Sequence, residues 1–191
     1  MSSQNQILLD IYKDDRTVFP LSRIVLCSGI DSTHRASLLQ RLNYYAGKGE
    51  LVNIRKGIYA KPDYDPKEVA CCIYTPSYIS LDYVLQRKGV IFQYDEALSC
   101  ISYLSRDLWI DSCEYRFRKV KEEILIDRSG IVSDGKINIA TPERAFLDAM
   151  YLDSRRFFDN LRPLDKGKIL ELLPIYGCKK LEDRVNKLLK Q

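Results

Sequence analysis

Hydrophobic residues recur at helical spacing through the first fifty residues of the chain. This periodicity predicts a first helix over residues 3–13, a second helix of about two turns from Leu21, and a third helix over residues 32–48. Gly29 follows the second helix, where a residue with positive φ would end it. Three short helices in close succession therefore open the chain.

The third predicted helix carries two different stripes of side chains. Leu38, Leu39, Leu42 and Tyr45 form an apolar stripe that we expect to face a core. Polar or basic side chains follow at i, i+3, i+7, i+10 and i+14, namely His34, Ser37, Arg41, Tyr44 and Lys48. Every member of this second stripe donates a hydrogen bond or carries positive charge. We interpret it as the face opposite the core.

The hydrophobic period changes from 3.6 to 2 after Gly49. Residues 51–55 are predicted to form a strand, Lys56-Gly57 a tight turn, and residues 58–60 the returning strand. Three helices followed by a hairpin is the order of elements in a winged helix-turn-helix.

The remainder of the chain has a mixed pattern. Helices are predicted at about 66–74, 81–88, 142–152, 166–173 and 178–190. Residues 90–140 are mostly strand-like, and Cys113, Tyr115 and Phe117 alternate with charged residues as in a half-buried strand. The predicted fold class is therefore α+β, with a winged helix-turn-helix over residues 1–62 and a mixed α+β domain over residues 63–191. The proline-bounded segment 62–66 is the predicted linker.

Charge is distributed unevenly between these two predicted domains. Of the 191 residues, the first 62 include nine Lys/Arg and five Asp/Glu, whereas residues 63–191 include 21 of each. The whole net charge of +4 therefore lies in the first domain. This asymmetry indicates a module that faces a polyanion, joined to a neutral one.

The polar stripe and the basic hairpin together predict a surface for double-stranded DNA. A recognition helix presents hydrogen-bond donors to base edges, and its N-terminus attracts phosphate. Tyr44 and Lys48 are expected to contact the DNA backbone, and the wing tip to contact phosphate or the minor groove. The predicted DNA-binding residues are Ser32, Thr33, His34, Ser37, Arg41, Tyr44, Lys48, Arg55, Lys56 and Lys61. An ordinary solvated helix face, or a winged helix that docks a protein without DNA, remains the alternative.

No catalytic, metal or cofactor site is expected. The chain lacks the glycine-rich loops that hold nucleotide phosphates, and it has a single histidine. Asp63, Asp65 and Lys67 resemble a nuclease site superficially, but they lie around two prolines with no strand between the acids, so we interpret them as linker. Glu122 and Glu123 lie on a predicted strand, where adjacent side chains point to opposite faces and cannot share a site. A nuclease therefore finds no support in the sequence.

The remaining composition points to a cytoplasmic protein. The first residues are polar, and no apolar stretch approaches the roughly 20 residues that cross a membrane. None of the six cysteines forms a C-x-x-C pair, so reduced cysteines that pack as small apolar residues are expected.

Three motifs in order along the chain resemble the AbiEi family of antitoxins and transcriptional regulators. They are the hairpin Arg55-Lys56-Gly57-Ile58-Tyr59, the segment 76–85 (PSYISLDYVL) that leads to Gly89, and the segment 139–148 (IATPERAFLD). The resemblance covers about residues 5–160. We interpret the last two motifs as determinants of the fold, because their apolar residues pack and Thr141-Pro142-Glu143 starts a helix.

The resemblance implies both a function and its partners. It implies a winged-helix domain that represses its own operon by binding promoter repeats, and a second domain that counteracts a nucleotidyltransferase-type toxin. It also implies that the antitoxin can act without a stable toxin complex. Only the DNA-binding role transfers to named residues, those of the recognition helix and the wing.

Overall fold

The protein is mixed α+β and divides into two compact units, which we call unit 1 (residues 1–73) and unit 2 (residues 74–191). The computed structural model describes residues 6–29 and 34–190. No helix in these ranges is both long and apolar enough to cross a membrane.

Unit 1 combines short helices with a small antiparallel sheet. Its elements are α1 (Gln6–Lys13), β1 (Val18–Pro20), α2 (Leu21–Ser28), α3 (Arg35–Gly47), β2 (Val52–Arg55), β3 (Ile58–Ala60) and α4 (Pro66–Ile73). The three strands have the order β1-β3-β2. The predicted hairpin is confirmed, and Gly29 has φ +60°, as expected after α2. Val18–Pro20, predicted as an extended link, adds a third strand to the sheet by pairing with β3.

The core of unit 1 lies between its first three helices and its sheet. Leu38 and Leu42 of α3 are fully buried, and Ile11 of α1, Ile24 of α2 and Tyr59 of β3 pack in the same cluster. The apolar stripe that the sequence predicted for the third helix is therefore the side that α3 packs inward.

The proline-bounded segment after the hairpin is fastened to unit 1. The Asp65 backbone N–H donates to Thr17 Oγ1 at 2.9 Å. The buried Glu68 carboxylate of α4 accepts from the backbone N–H groups of Thr17 at 2.8 Å and Val18 at 3.0 Å. These bonds satisfy backbone N–H groups at the start of β1 and hold α4 against that strand. The division between the units consequently falls after Ile73, whereas the sequence suggested a boundary after residue 62.

Unit 2 is built on a six-stranded mixed sheet with the order β6-β7-β5-β4-β9-β8. Its strands are β4 (Ser77–Ile79), β5 (Leu98–Ser102), β6 (Arg106–Ile110), β7 (Cys113–Lys119), β8 (Ile131–Ser133) and β9 (Asn138–Ala140). Its helices are α5 (Leu81–Arg87), α6 (Glu122–Ile126), α7 (Pro142–Leu152), α8 (Lys166–Leu172), a 3₁₀ helix (Leu173–Tyr176) and α9 (Lys179–Leu189). Strand β5 runs parallel to β7, and β4 runs parallel to β9.

Two predictions for unit 2 are confirmed by side-chain burial and capping. Tyr115 and Phe117 of β7 are fully buried, while Arg116 between them is partly exposed. Helix α7 begins after Thr141, whose side-chain oxygen accepts the Arg144 backbone N–H at 3.3 Å. The strand alternation and the helix start were therefore correctly predicted from local sequence.

The interpretation of Glu122 and Glu123 as strand residues is wrong. They form the first turn of α6, with exposed side chains. Ile124 and Leu125 of the same helix are buried. A helix of five residues is too short for its period to be distinguished from that of a strand, which explains the error.

Helix α7 carries a buried ion pair into the centre of unit 2. Arg144 and Asp148 stand one turn apart, both with no exposed side-chain surface, and Arg144 Nε lies 3.5 Å from Asp148 Oδ1. Arg144 also donates to the Ser129 carbonyl at 2.9 Å and to the Ile124 carbonyl at 2.6 Å. The guanidinium thus joins α7 to α6 and to the loop that follows α6.

Three hydroxyl groups complete the surroundings of the Asp148 carboxylate. Tyr176 donates to Oδ1 at 2.7 Å, Ser80 to Oδ2 at 2.7 Å, and Tyr78 to Oδ1 at 3.2 Å. Burial raises the pKa of Tyr78 and Tyr176, so both hydroxyls keep the protons that they donate. We call these five residues (Tyr78, Ser80, Arg144, Asp148, Tyr176) the Arg144 network.

Glycine is required where the chain passes closest to this network. Gly130 has φ +71°, and a Cβ built there would lie 2.9 Å from Arg144 Cβ and 3.0 Å from a Leu172 methyl carbon. Its carbonyl accepts the Thr141 N–H at 2.7 Å. Both the conformation and the close approach exclude a larger side chain.

None of the six cysteines, all of which lie in the described ranges, forms a disulfide, and they are not uniformly buried. Cys71 and Cys100 are buried, whereas Cys27 is exposed on α2. Burial raises the pKa of Cys72 to about 11, so this side chain stays a neutral thiol near pH 7.

Removing the Asp148 carboxylate from the Arg144 network is expected to destabilise unit 2 strongly. Asp148→Ala leaves the Arg144 guanidinium buried without its carboxylate, which should lower the free energy of unfolding of unit 2 by about 3–5 kcal/mol. Urea denaturation followed by fluorescence of Trp109, the single tryptophan of the chain, measures this loss. Tyr176→Phe, which removes one donor and keeps the ion pair, should cost about 1.5–3 kcal/mol. A loss below about 1 kcal/mol for Asp148→Ala would contradict the network's importance.

Candidate nucleic-acid interface

Five of the ten predicted DNA-binding residues lie on helix α3 or at its two caps. The helix begins at Arg35, and the Ser37 hydroxyl donates to the His34 carbonyl at 3.0 Å. Both His34 and Ser37 are exposed beside the first turn. Ser32 and Thr33 lie outside the described residues, so their predicted role cannot be placed on the structure.

The rest of the predicted polar stripe faces α1. Arg41, Tyr44 and Lys48 line an open cleft together with Leu8 and Leu9 of α1. At about 100° per residue, this stripe lies roughly a quarter-turn from the buried one and not opposite to it. Arg41 is accordingly half-buried, while Tyr44 and Lys48 remain exposed. The prediction of an opposite face was wrong for this geometric reason.

The two exposed members of this stripe contact each other. The Lys48 ammonium lies 4.7 Å from the centre of the Tyr44 ring, a cation–π geometry. Hydrogen bonding to the Tyr44 hydroxyl raises the pKa of Lys48, so the ammonium is charged at neutral pH. The Tyr44 ring in turn meets the Tyr45 ring edge-on, with centroids 5.8 Å apart. The cleft thus presents a fixed positive charge beside apolar surface.

The face of α3 that points away from the core carries residues that sequence reasoning missed. Ala36, Gln40 and Asn43 are exposed there, and Arg35 is exposed at the helix start. Gln and Asn side chains offer a donor and an acceptor on one planar group, which is the arrangement that pairs with adenine in a major groove. Placing Leu38, Leu42 and Tyr45 at the centre of a helical projection would have identified this face.

The hairpin lies next to that outward face. The Tyr59 hydroxyl of β3 donates to Asn43 Oδ1 at 2.8 Å. Burial raises the pKa of this hydroxyl, so it remains a donor. At the turn, Arg55 and Lys56 are exposed and Gly57 adopts φ +82°. The Gly57 carbonyl accepts the Leu21 N–H at 2.8 Å, which fixes the turn to the start of α2.

Lys61 has a different setting from the hairpin tip. It follows β3, four residues after the turn glycine, and its ammonium donates to the Asp14 carbonyl at 2.6 Å and the Tyr12 carbonyl at 3.4 Å. These carbonyls close the end of α1, so the positive charge stabilises a helix C-terminus. The structure therefore separates Lys61 from Arg55 and Lys56, with which the sequence had grouped it.

Helix α3 and the hairpin can bind another molecule through hydrogen bonds and positive charge. Donors and amide groups lie on α3, cations lie at the hairpin tip, and both are held on one small core. Among residues 6–29 and 34–190, no cluster of three or more His, Cys, Asp or Glu side chains has the geometry to hold a metal ion.

No protein-family model matches this chain, and no curated protein matches it at a significant level of similarity.

The two lysines that flank β3 are expected to differ in their effect on stability. Lys61→Ala removes the ammonium from two backbone carbonyls and should reduce the stability of unit 1 by about 1 kcal/mol. Amide hydrogen exchange at β1 and β3 measures this change as faster exchange. Lys56→Ala, at the exposed turn, is the matched control and should change stability by less than about 0.5 kcal/mol. Equal exchange rates in both variants would contradict the role assigned to Lys61.

Proposed function

We propose that unit 1 is a winged helix-turn-helix that binds double-stranded DNA, and that the protein represses transcription from its own promoter. The observation that carries this proposal is the position of the β2–β3 hairpin beside α3. The Asn43–Tyr59 hydrogen bond holds the exposed hairpin next to the outward face of the helix. A recognition helix flanked by a basic wing has this arrangement of parts.

Helix α3 and the hairpin are proposed to contact different parts of a DNA duplex. Gln40 is placed to read base edges from the major groove, whereas Asn43 holds the hairpin through its bond from Tyr59. Arg35, His34 and Ser37 lie close to the phosphates at the helix start. Arg55 and Lys56 contact phosphate or the minor groove. Arg41, Tyr44 and Lys48 lie on the flank towards α1 and contribute charge beside the main surface.

We further propose that the protein is the antitoxin of a nucleotidyltransferase-type toxin. Support comes from the order of three motifs that resemble the AbiEi family, at 55–59, 76–85 and 139–148. In unit 2, the polar residues of the last two motifs meet in the Arg144 network, which supports our interpretation of both motifs as determinants of the fold. We therefore assign the antitoxin activity to unit 2 as a whole and to no single one of these buried residues.

A protein-docking module is the second candidate function. The specific observation in its favour is the cleft between α1 and α3, where the exposed side chains of Leu9 and Tyr44 lie beside Arg41 and Lys48. Such a mixture of apolar surface and cations suits an acidic partner helix. A partner that co-purifies stoichiometrically, together with no DNA affinity at low salt, would favour this function over the first.

Removing the two cations of the wing tip is expected to weaken DNA binding at all sequences. Arg55→Ala combined with Lys56→Ala should lower affinity for the protein's own upstream DNA at least about ten-fold and reduce the slope of log K against log salt by about two. Fluorescence anisotropy across a salt series measures both quantities.

A matched pair of cations in unit 2 provides the control for that experiment. Lys179→Ala with Lys180→Ala removes two adjacent exposed lysines from α9 and should leave affinity and salt slope unchanged. A wild-type protein without affinity for its upstream DNA at low salt would overturn the proposed function. Equal losses in both double variants would show that the wing tip has no special role.

The antitoxin role has a separate test in cells. The proposal requires a nucleotidyltransferase gene adjacent to this one. Expression of that gene should arrest growth, and co-expression of this protein should restore it. The Arg55→Ala, Lys56→Ala variant should restore growth equally well, because the proposed activity resides in unit 2. Continued growth arrest in the presence of folded wild-type protein would rule out the antitoxin role.

A further inference from the structure

Two phenylalanines of unit 2 are held in solvent beside a single cleft. Phe92 is 68% exposed and Phe157 is 76% exposed, and both line the cleft between the segment after α5 and the segment after α7. Phenylalanine has no polar group to hydrate, so two exposed rings at one place have a cost in water. Contiguous apolar surface of this kind marks an interaction site.

The backbone around these rings is fixed by hydrogen bonds and packing. The Val90 carbonyl accepts the N–H groups of Asp159 at 3.0 Å and Asn160 at 3.1 Å, and the Phe92 N–H donates to the Asp159 carboxylate at 2.8 Å. Next to Phe157, the ring of Phe158 is buried against Phe146, with centroids 4.8 Å apart. The exposed rings are thus presented by an ordered backbone, which lowers the entropy that binding would cost.

The positive and negative charges that line the same cleft are equal in number. Arg155 and Arg156 oppose Asp153 and Asp159, so the lining has no net charge. Arg156 pairs with Asp82, whereas Arg155 and Asp153 both have exposed side chains. The Arg155 backbone N–H donates to Asp153 Oδ1 at 2.9 Å, which fixes this carboxylate at the cleft.

We propose that this surface, defined by Phe92, Asp153, Arg155 and Phe157, is a two-fold interface with a second copy of the same chain. A two-fold axis brings a patch against itself, so each charge must find its complement within that patch. Arg155 of one copy and Asp153 of the other satisfy this requirement. A strongly acidic or basic partner, including nucleic acid, gains nothing from a neutral lining.

The apolar surface is large enough to anchor such an interface. Burying an aromatic side chain removes roughly 150–250 Å² from water. Because Phe92 is 68% and Phe157 76% exposed, four such rings from two copies supply about half of the roughly 1,200 Å² that a specific interface needs. Gln93, which is exposed and lines the same cleft, extends the patch. The inference goes beyond the proposed DNA binding and does not depend on it.

The oligomeric state of the full-length protein tests this proposal. Sedimentation equilibrium over low to several hundred micromolar should give twice the mass of the chain for wild type. Phe92→Ser with Phe157→Ser should raise the dimer dissociation constant at least ten-fold and leave the circular dichroism spectrum unchanged, because both rings are outside the core. Trp109→Ser, which removes a 69% exposed ring on β6, is the matched control and should remain dimeric.

Charge exchange provides an independent readout of the two-fold arrangement. Arg155→Glu should weaken the dimer by placing like charges across the axis, and adding Asp153→Lys should restore it. A wild type that stays monomeric at every concentration overturns the proposal, even if another protein binds the two phenylalanines. A dimer that the double phenylalanine variant leaves intact, or that Trp109→Ser weakens equally, overturns it as well.

Discussion

The buried ion pair between Arg144 and Asp148 is the interaction on which unit 2 depends. Both side chains are fully removed from solvent, where an unpaired charge would be far too costly for a small unit to tolerate. Their hydrogen bonds reach α6, the end of β4 and the 3₁₀ helix, which are distant in sequence. The charged pair therefore specifies how these elements meet, in addition to stabilising them.

This network gives physical meaning to two of the motifs that sequence analysis singled out. Tyr78 and Ser80 come from the first motif, and Thr141, Arg144 and Asp148 come from the second. The sequence indicated that the apolar residues of these motifs pack, but it concealed the role of the polar ones. An arginine and an aspartate four residues apart on a helix normally form an exposed pair. This pair is buried because other elements cover it and place three hydroxyl groups on the Asp148 carboxylate, those of Tyr78, Ser80 and Tyr176.

Elements with long, well-capped or turn-bounded patterns were predictable, whereas two short elements without such signals were not. The apolar stripe of α3, the alternation along β7 and the start of α7 at Thr141 follow from local periodicity and capping. Strand β4 has three residues and α6 has five, too few for either period to be recognised. At the candidate interface, the hairpin tip was located correctly on an exposed turn. The polar stripe of α3 was placed on the wrong face, although a helical projection puts it about a quarter-turn from the buried stripe. Only the fact that it faces α1 depends on tertiary packing.

In unit 1 the proposed functional surface is the exposed face of α3 and the hairpin, and the core serves to position it. The core fixes α3 against the sheet, and the Asn43–Tyr59 bond then sets the hairpin beside the helix. The most direct test of DNA recognition by this face is a chemical-shift titration of isotope-labelled protein with its own upstream duplex. If this face binds DNA, the amide shifts should be concentrated at residues 34–43 and 55–57. Shifts confined to unit 2, or none at saturating duplex, would contradict it.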